Sequence, residues 1–536
     1  MSIGVRLLRS NPCKDYKLVP GFDGSGQRGV DEDGRVIAVD VRNFVGGSWQ
    51  PAEGERTTVN FDPSTGKQLG LLAESSAADV DRAVGAAIEA GREWRETPLS
   101  QRIELLHRAA DIVDRRAEEL TGLLAADTGC AIRMSAALQV AGTSMLLREW
   151  PKLAPYLERP EAAPIDASAF LGQWETHRLP LGVIAALTPF NVPMYVVGQK
   201  AIPALLAGNT VVVKPSPLAP AGPALFAEVL AEAGLPAGAL NIVNGGAAPS
   251  QHLVAHPEVA GVSFTGSSAT GSKVMATASE TLKRVQLELG GKSPAVILED
   301  ADFDLALPGA VFGSVLHAGQ ICVATSRLIV PRGRYEEACE RLAGLVGALR
   351  AGPATDPDTD VGPVVSASSA KRVHDMIARA QDQGAKIAGR AGTNGELPDG
   401  GYYVVPTVLR DVTSEMDIAQ EETFGPVITV LAADSVDHAV EIANSTRYGL
   451  AASVWGSDLV AARAVGERID SGTVWVNEYG MAHVRDSPME GWKYSGVGAQ
   501  YGTAALDGLT RTKSFYTALD PDPARRPYGL LGAKWN

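Results

Sequence analysis

The sequence is poor in cysteine, with only four residues among 536: Cys13, Cys130, Cys322 and Cys339. So few cysteines in so long a chain exclude a disulfide framework, and no Cys-x-x-Cys pair or Cys/His spacing indicates a zinc site. We therefore predict no bound metal. This cysteine usage favours a cytoplasmic enzyme with one reactive thiol.

The chain also lacks surplus positive charge and long apolar runs. It has 48 Lys and Arg against 62 Asp and Glu, a net charge of −14, and no basic cluster, so we expect no nucleic-acid partner. Its most apolar region, 181–213, is too interrupted for a membrane-spanning helix of about 20 apolar residues. The interruptions are Pro189, Asn191, Pro193, Lys200, Pro203 and Asn209. The first residues carry charges within a short apolar stretch, so no signal peptide is expected.

What the sequence does contain is an alternation of strands and helices. From Gly182 onward, short apolar runs such as GVIAAL, NTVVVKP and GVSFTG alternate with stretches of helical periodicity. Apolar strands separated by helices are typical of parallel βαβ units, so we predict an α/β fold with a doubly wound sheet. A second α/β stretch is expected from 294 to about 477. The Gly-rich segment 21–35 is predicted to be a loop or a mobile arm.

Glu288 ends one of these predicted strands, just before the Gly-Gly turn of LELGGKSP (residues 287–294). Ligands bind at strand ends in sheets of this type. A carboxylate there, between Leu287 and Leu289, would lose hydration, which raises its pKa towards that of a general base. The alternative is an ordinary exposed or ion-paired glutamate, which this octet alone does not exclude.

Cys322 lies in GQICVATSR (residues 319–327), after an apolar helical stretch and among small residues. As a thiolate it could attack a carbonyl carbon. The alternative is an inert core cysteine. None of the other three cysteines has a glycine-rich approach on one side and small residues on the other.

Three further segments carry groups that could bind a reacting oxygen or a dinucleotide. Asn191 lies between two prolines in LTPFNVP, where its amide could donate to an oxyanion or could simply serve a turn. Lys214 ends the predicted strand of VVVKPS and could hold a ribose or a phosphate. FTGSSATG places Gly266 and Ser267 at a helix start suited to pyrophosphate, although the G-x-G-x-x-G pattern is absent.

Seven motifs occur in a fixed order: PFNVP, VVVKPS, FTGS, LELGGKSP, GQICVATSR, EETFGP (421–426) and GWKYSGVG (491–498). Together they resemble the aldehyde dehydrogenase superfamily, of the NAD(P)-dependent hydrolytic type, from about residue 43 to about 516. The resemblance implies an aldehyde dehydrogenase-like α/β fold, with a Rossmann-type cofactor-binding domain, an α/β catalytic domain and a small β oligomerisation element. It also implies oxidation of an aldehyde to the carboxylic acid with NAD or NADP, through a thiohemiacetal and a thioester.

The resemblance also implies residue roles. Cys322 is expected to be the nucleophile, Asn191 an oxyanion donor and Glu288 the base that activates water. Cofactor-binding residues are expected at Leu187, Thr188, Pro189, Phe190, Lys214, Ser216, Pro217, Gly246, Phe264, Thr265, Gly266, Ser267, Leu289, Glu422 and Phe424. NAD-preferring relatives usually carry glutamate where Pro217 stands, so NAD and NADP both stay open.

The substrate pocket is expected at Val192, Tyr195, Val196, Gln199, Ile321, Val323, His483 and Met489. Much of this set is apolar, which suits an aliphatic or aromatic aldehyde. Arg485, if it points inward, would instead fit a carboxylated semialdehyde.

The implied domain boundaries are 1–42 for an N-terminal arm, 43–162 and 182–289 for the dinucleotide-binding domain, 290–490 for the catalytic domain, 163–181 and 491–520 for the oligomerisation hairpin and strand, and 521–536 for a C-terminal tail. The hairpin predicts a homodimer or homotetramer.

Two other functions stay open. A CoA-acylating semialdehyde dehydrogenase would share the fold, but such relatives generally lack the base glutamate, and Glu288 is present. A non-catalytic binding protein would be favoured by loss of Cys322, Glu288 or Asn191, and all three are present.

Overall fold

The computed structural model describes residues 28–30, 36–158, 161–167, 170–480, 486–519, 528 and 530. Most of the predicted N-terminal arm and C-terminal tail therefore lies outside the described residues, as do His483 and Arg485. Within the segment predicted to be a loop, Arg28–Val30 forms a strand antiparallel to Val36–Val39, so that prediction is wrong for these three residues. The run VIAV has a high strand propensity and offers them a partner.

An eight-stranded sheet contains most of the predicted site residues. Its five central strands are parallel, in the spatial order Arg284–Glu288, Val259–Thr265, Val183–Leu187, Thr210–Lys214 and Leu240–Ile242. Antiparallel strands complete it: Gly496–Val497 at one edge, Asn43–Val45 and Ser48–Gln50 at the other. Val183–Leu187 is apolar and buried at every position, as expected for a strand covered on both faces.

A seven-stranded sheet forms the second α/β region. Its spatial order is Lys386–Arg390, Thr407–Arg410, Val427–Ala433, Thr325–Pro331, Ser293–Ile297, Ala451–Trp455 and Thr473–Val476, and only the first pair is antiparallel. The two parallel sheets confirm the predicted α/β class. The domain boundaries stay a prediction.

A third sheet has three antiparallel strands, in the order Thr510–Ala518, Phe170–Pro180 and Glu161–Ala167. It lies largely within the segments 163–181 and 491–520 predicted to form an oligomerisation hairpin and strand, although Gly496–Val497 of the second segment belongs to the eight-stranded sheet. Beyond the buried Thr510, every residue of the outer strand is exposed. Its predicted role in assembly stays a prediction.

The remaining elements are helices and short strand pairs. The α-helices are Ala77–Trp94, Leu99–Arg115, Ala117–Thr128, Ile132–Met134, Gly142–Glu149, Ala154–Glu158, Pro193–Leu206, Ala221–Glu232, Ala247–Ala255, Ser268–Ser279, Phe303–Val315, Tyr335–Gly347, Ala367–Asp382, Asp417–Gln420, Val436–Asn444, Leu459–Gly466 and Gly502–Gly508, with a π-helix at Ser135–Ala141 and 3-10 turns at Glu53–Glu55, Trp150–Leu153, Leu316–Gly319 and Arg332–Arg334. The paired strands are Thr57–Phe61 with Gln68–Ala73, Arg350–Ala351 with Gly392–Thr393, Tyr448–Gly449 with Trp492–Lys493, and Met489–Glu490 with Ala499–Gln500. None of the described helices has the length and apolar character needed to cross a bilayer.

The register of the central strands decides which residues meet. Leu187 is aligned with Lys214 on one side and with Phe264 on the other, and Thr265 is aligned with Glu288. Because the strands are parallel, these residues all lie at the carboxyl ends of their strands. These ends form one side of the sheet, which we call its carboxyl edge. That carboxyl edge is where sheets of this type bind ligands.

Candidate active site

Cys322 follows an irregular turn at the end of the helix Phe303–Val315. In this turn, Leu316–Gly319, His317 and Ala318 have φ angles of 48° and 52°, the left-handed region that side chains other than glycine rarely adopt. Gly319 continues it with a φ of 70°. A Cβ at Gly319 would overlap the carbonyl oxygen of Gly425, so glycine is required at this position.

The buried Gln320 holds this turn to the rest of the molecule. Its side-chain Oε1 accepts a hydrogen bond from the backbone N–H of Val365 at 3.0 Å. Its own backbone oxygen accepts one from Nδ2 of Asn191 at 2.7 Å. This bond ties Asn191 to the backbone of Gln320, two residues before Cys322. The Asn191 amide has two N–H donors, and among the described residues Gln320 is the partner of one of them, so the second could donate to a substrate oxygen.

Glu288 is buried, with 4% of its surface exposed. Both carboxylate oxygens are inaccessible to solvent and have no hydrogen-bond partner in the described part of the chain. Burial raises the pKa of Glu288; the positive charge of Lys200 opposes that shift and Glu490 adds to it. A buried, unpartnered carboxylate with a raised pKa is suited to accepting a proton from water or from a thiol.

Lys200 is a candidate functional residue to which the sequence motifs gave no role. It is 2% exposed on the helix Pro193–Leu206, and its Nζ donates to Oγ of Ser263 at 3.0 Å. Burial lowers the pKa of Lys200, while the negative charges of Glu288 and Cys322 raise it. A lone lysine in an otherwise apolar helix was the available signal, because buried lysines are almost always paired.

The Cys322 thiol lies within electrostatic range of these groups. Burial raises its pKa to about 12, and the negative charges of Glu288 and Glu422 act in the same direction. The backbone N–H groups of Val323 and Cys322 oppose the shift. The thiol is therefore protonated at neutral pH and needs a nearby base to become a nucleophile.

The carboxyl edge also brings the predicted cofactor residues together. Lys214 is buried and its Nζ donates to the carbonyl oxygens of Gly245 and Gly246, at 2.8 and 3.4 Å. Thr188 follows the neighbouring strand, and its buried Oγ1 has no partner among the described residues. Ser216 and Pro217, just after Lys214, are half-buried.

The next strand ends at Phe264 and Thr265 and continues into Gly266. Ser267 caps the helix Ser268–Ser279 by accepting from the backbone N–H of Thr270 at 3.3 Å. This helix N-terminus opens at the same edge and is suited to a diphosphate. The carboxyl edge therefore offers the unpartnered hydroxyl of Thr188, the ammonium of Lys214 and the N-terminus of the helix Ser268–Ser279. These groups fit a dinucleotide.

A second group of predicted residues meets across the two sheets. Glu422 accepts a hydrogen bond from the backbone N–H of Gly291 at 3.1 Å, and burial raises its pKa to about 7. The rings of Phe190 and Phe424 contact edge to face, with centroids 5.7 Å apart. Leu289 is bonded through its N–H to the Ser495 carbonyl. These contacts link the segments before Asn191, after Glu288 and around EETFGP.

The predicted substrate residues are only partly united. Tyr195 and Gln199 lie one turn apart on the helix Pro193–Leu206, and both bond the hydroxyl of Tyr501, Tyr195 at 2.6 Å. Tyr501 is buried with a φ of 67°, and no motif of the sequence pointed to it. Among the others, Val192, Val196, Val323 and Met489 are buried and Ile321 is half-buried. A separate cavity of about 330 Å³ beside His317 is lined by none of the predicted substrate residues.

Comparisons with known proteins give one answer. The model of the aldehyde dehydrogenase family matches residues 49–515. A putative aldehyde dehydrogenase from Burkholderia cenocepacia is 37% identical, with a TM-score of 0.86 over 90% of this chain and 100% of that one. An aldehyde dehydrogenase from Bacillus cereus, solved as an NAD+ complex, is 34% identical, with a TM-score of 0.85 over 90% of this chain and 97% of that one.

A third solved structure, 3,6-anhydro-L-galactose dehydrogenase in complex with NADP, is 31% identical, with a TM-score of 0.85 over 89% of this chain and 100% of that one. The family and the enzyme class predicted from the seven motifs are confirmed. The chain belongs to the aldehyde dehydrogenase family and is an oxidoreductase that acts on aldehydes.

Proposed function

We propose that the protein oxidises an aldehyde to the free carboxylic acid with NAD+ or NADP+, through a thiohemiacetal and a thioester on Cys322. The observation that carries this proposal is the carboxylate of Glu288, which is buried and unpartnered among the described residues and interacts electrostatically with Cys322. A base in that position can serve hydrolysis, which a CoA-acylating enzyme does not need. The buried charges of Glu288 and Lys200 also argue against a protein that only binds, since burying charged groups without a functional gain destabilises a fold.

The first step forms the carbon–sulfur bond. Glu288 accepts the thiol proton, directly or through water, and the ammonium of Lys200 stabilises the thiolate and the carboxylate in turn. The sulfur then attacks the aldehyde carbon, and the carbonyl oxygen becomes an oxyanion. The second N–H of Asn191 and the backbone N–H of Cys322 would donate to that oxygen. Each such donor contributes roughly 2.7–4 kcal/mol of transition-state stabilisation.

The cofactor would lie along the carboxyl edge of the eight-stranded sheet, held by Lys214, Thr188, the turn at Gly266 and Ser267, and Glu422. When bound, its nicotinamide supplies the acceptor for the hydride that leaves the thiohemiacetal carbon. The NAD+ and NADP complexes of the two relatives support the prediction that the cofactor is one of these two. Phe190 and Phe424 would exclude water from the reacting end.

The last step releases the acid. Once the hydride has left, Glu288 releases the thiol proton to solvent and is ionised again. It then takes a proton from a water molecule, whose oxygen adds to the thioester carbon. The carbon–sulfur bond breaks, and Glu288 returns that proton to the Cys322 thiolate. The product is a carboxylic acid and a free thiol. The apolar residues Val192, Val196 and Val323 favour an aliphatic or aromatic substrate. A homodimer or homotetramer and a cytoplasmic location remain predictions.

The experiment that tests this proposal is a substrate screen with a matched cysteine control. Aliphatic, aromatic and ω-carboxy aldehydes are offered with each cofactor, and both the reduced nicotinamide and the acid are measured. Cys322→Ala should abolish turnover, whereas Cys339→Ala, at a buried helical position of Tyr335–Gly347, should retain it. Turnover by Cys322→Ala would refute the nucleophile, and acyl-CoA in place of acid after adding CoA would favour the acylating alternative.

A further inference from the structure

A carboxylate from a distant part of the chain reaches the adenosine end of the proposed cofactor site. Glu74 lies in the turn between the strand Gln68–Ala73 and the helix Ala77–Trp94. Its Oε1 accepts a hydrogen bond from the backbone N–H of Gly246 at 3.1 Å. A Cβ at Gly245 would come within 2.9 Å of the same oxygen, so the carboxylate lies directly against this glycine pair.

The same glycine pair holds Lys214. Its Nζ donates to the carbonyl oxygens of Gly245 and Gly246. The Lys214 ammonium therefore binds carbonyl oxygens of this turn, and the Glu74 carboxylate binds one of its N–H groups. The two charges interact: burial lowers the pKa of Lys214 to about 8, and Glu74 opposes that shift. Glu74 therefore contributes a negative charge beside the residue that we expect to hold the adenosine ribose.

We propose that Glu74 makes the adenosine end of this site select NAD+ over NADP+. Gly246 occupies only one oxygen of the carboxylate, so the other can accept a ribose hydroxyl. A 2′-phosphate at the same position would meet a like charge. Pro217, three residues after the lysine, offers no carboxylate, and Glu74 supplies one from another segment. This inference rests on the proposed function, in which Lys214 binds the ribose.

The substitution Glu74→Gln separates a role in selection from a role in folding. Glutamine keeps the size and can still accept the Gly246 hydrogen bond, but it removes the charge. If Glu74 only stabilised the turn, the variant would bind both dinucleotides as the wild type does. The matched control is Glu89→Gln on the helix Ala77–Trp94, where an exposed ion pair with Arg92 is expected to contribute little.

The experiment measures the dissociation constants of NAD+ and NADP+ for the full chain by calorimetry, without aldehyde. The wild type should bind NAD+ at least about tenfold more tightly than NADP+, and Glu74→Gln should reduce that ratio by about tenfold, equivalent to roughly 1.4 kcal/mol. Glu89→Gln should leave it unchanged. Tighter binding of NADP+ by the wild type, or a ratio in Glu74→Gln within twofold of the wild-type ratio, would overturn the inference.

These outcomes are distinct from failure of the proposed function. If both dinucleotides bind and aldehyde is oxidised, but the ratio ignores Glu74, only the inference fails. If neither dinucleotide binds the wild type, the proposed cofactor site is wrong and the inference fails with it.

Discussion

The two sides of the proposed catalytic centre are built in different ways. Glu288 stands at the end of a strand whose position is set by a register of parallel pairs, with Thr265 opposite it. Cys322 follows a turn in which His317, Ala318 and Gly319 all have left-handed backbone angles. The sheet side is thus specified by many equivalent hydrogen bonds, whereas the turn depends on a few contacts, those of Gln320 above all. We expect mutations to act through chemistry on the sheet side and through placement on the turn side.

Glu288→Gln should have the largest effect among these variants. The amide keeps the shape of the side chain but cannot accept the proton, and loss of a general base typically lowers the rate by about 10²–10⁴-fold. The measurement is steady-state kcat at neutral pH with saturating cofactor and aldehyde. The control is Glu490→Gln. Glu490 is exposed and its negative charge acts on Glu288, and this variant should retain most of the activity. Activity of Glu288→Gln within threefold of wild type would show that another base operates.

Asn191→Ala tests the connection between the two sides. Asn191 follows the strand Val183–Leu187 of the sheet and is hydrogen-bonded to Gln320 of the turn. Loss of one oxyanion donor should lower kcat by about 10²–10³-fold. Whether the turn has moved is checked by the rate at which iodoacetamide alkylates Cys322 at pH 9. An unchanged alkylation rate assigns the loss to the oxyanion. A loss of activity below fivefold would contradict the assignment.

Gln320→Ala tests the turn alone. It leaves the buried N–H of Val365 without a partner, which should lower the free energy of unfolding by about 1–3 kcal/mol. Because Cys322 loses its support, kcat/KM should fall by about tenfold, with thermal unfolding and initial rates as the two measurements. The control is Gln383→Ala, which removes a similar hydrogen bond between an exposed side-chain amide and the backbone N–H of Asp417. This variant should change the free energy of unfolding little. If the two variants had the same stability and the same kcat/KM, the placement of Cys322 would not depend on Gln320.

Lys200→Met should give the smallest loss, seen as a shift in pH dependence. As the proposed base, Glu288 would work only when ionised, so activity is expected to rise with pH as it loses its proton. Lys200 lowers the pKa of Glu288; without that charge the pKa rises, and the ascending limb of kcat/KM should move to higher pH by about one unit. Much of the activity should return at alkaline pH. A limb that stays in place, or moves to lower pH, would exclude the lysine from this role.

Much of the sheet side could be predicted from the sequence. An apolar run that ends in a polar residue before a glycine turn marks a strand end, and this rule places Glu288 and Lys214 on one edge. The positions of Lys200, Tyr501 and Glu74 could not be found in this way. Glu74 bonds Gly246 across 172 residues of sequence, a contact that only the folded chain creates.

The turn side shows the opposite limit. The motif around Cys322 identified the residue, but nothing in the letters of His317 and Ala318 predicts a left-handed backbone, since neither is glycine or asparagine. The contacts of Gly319 and Gln320 that accompany this conformation exist only in the folded molecule.

The raised pKa of the half-buried Cys322 thiol has a consequence for the life of the enzyme in a cell. Peroxides and alkylating metabolites react with the ionised form of cysteine, and the raised pKa of Cys322 makes that form scarce at neutral pH. The idle enzyme should therefore resist chemical damage, and its sulfur should become vulnerable only during the brief interval in which it is also useful.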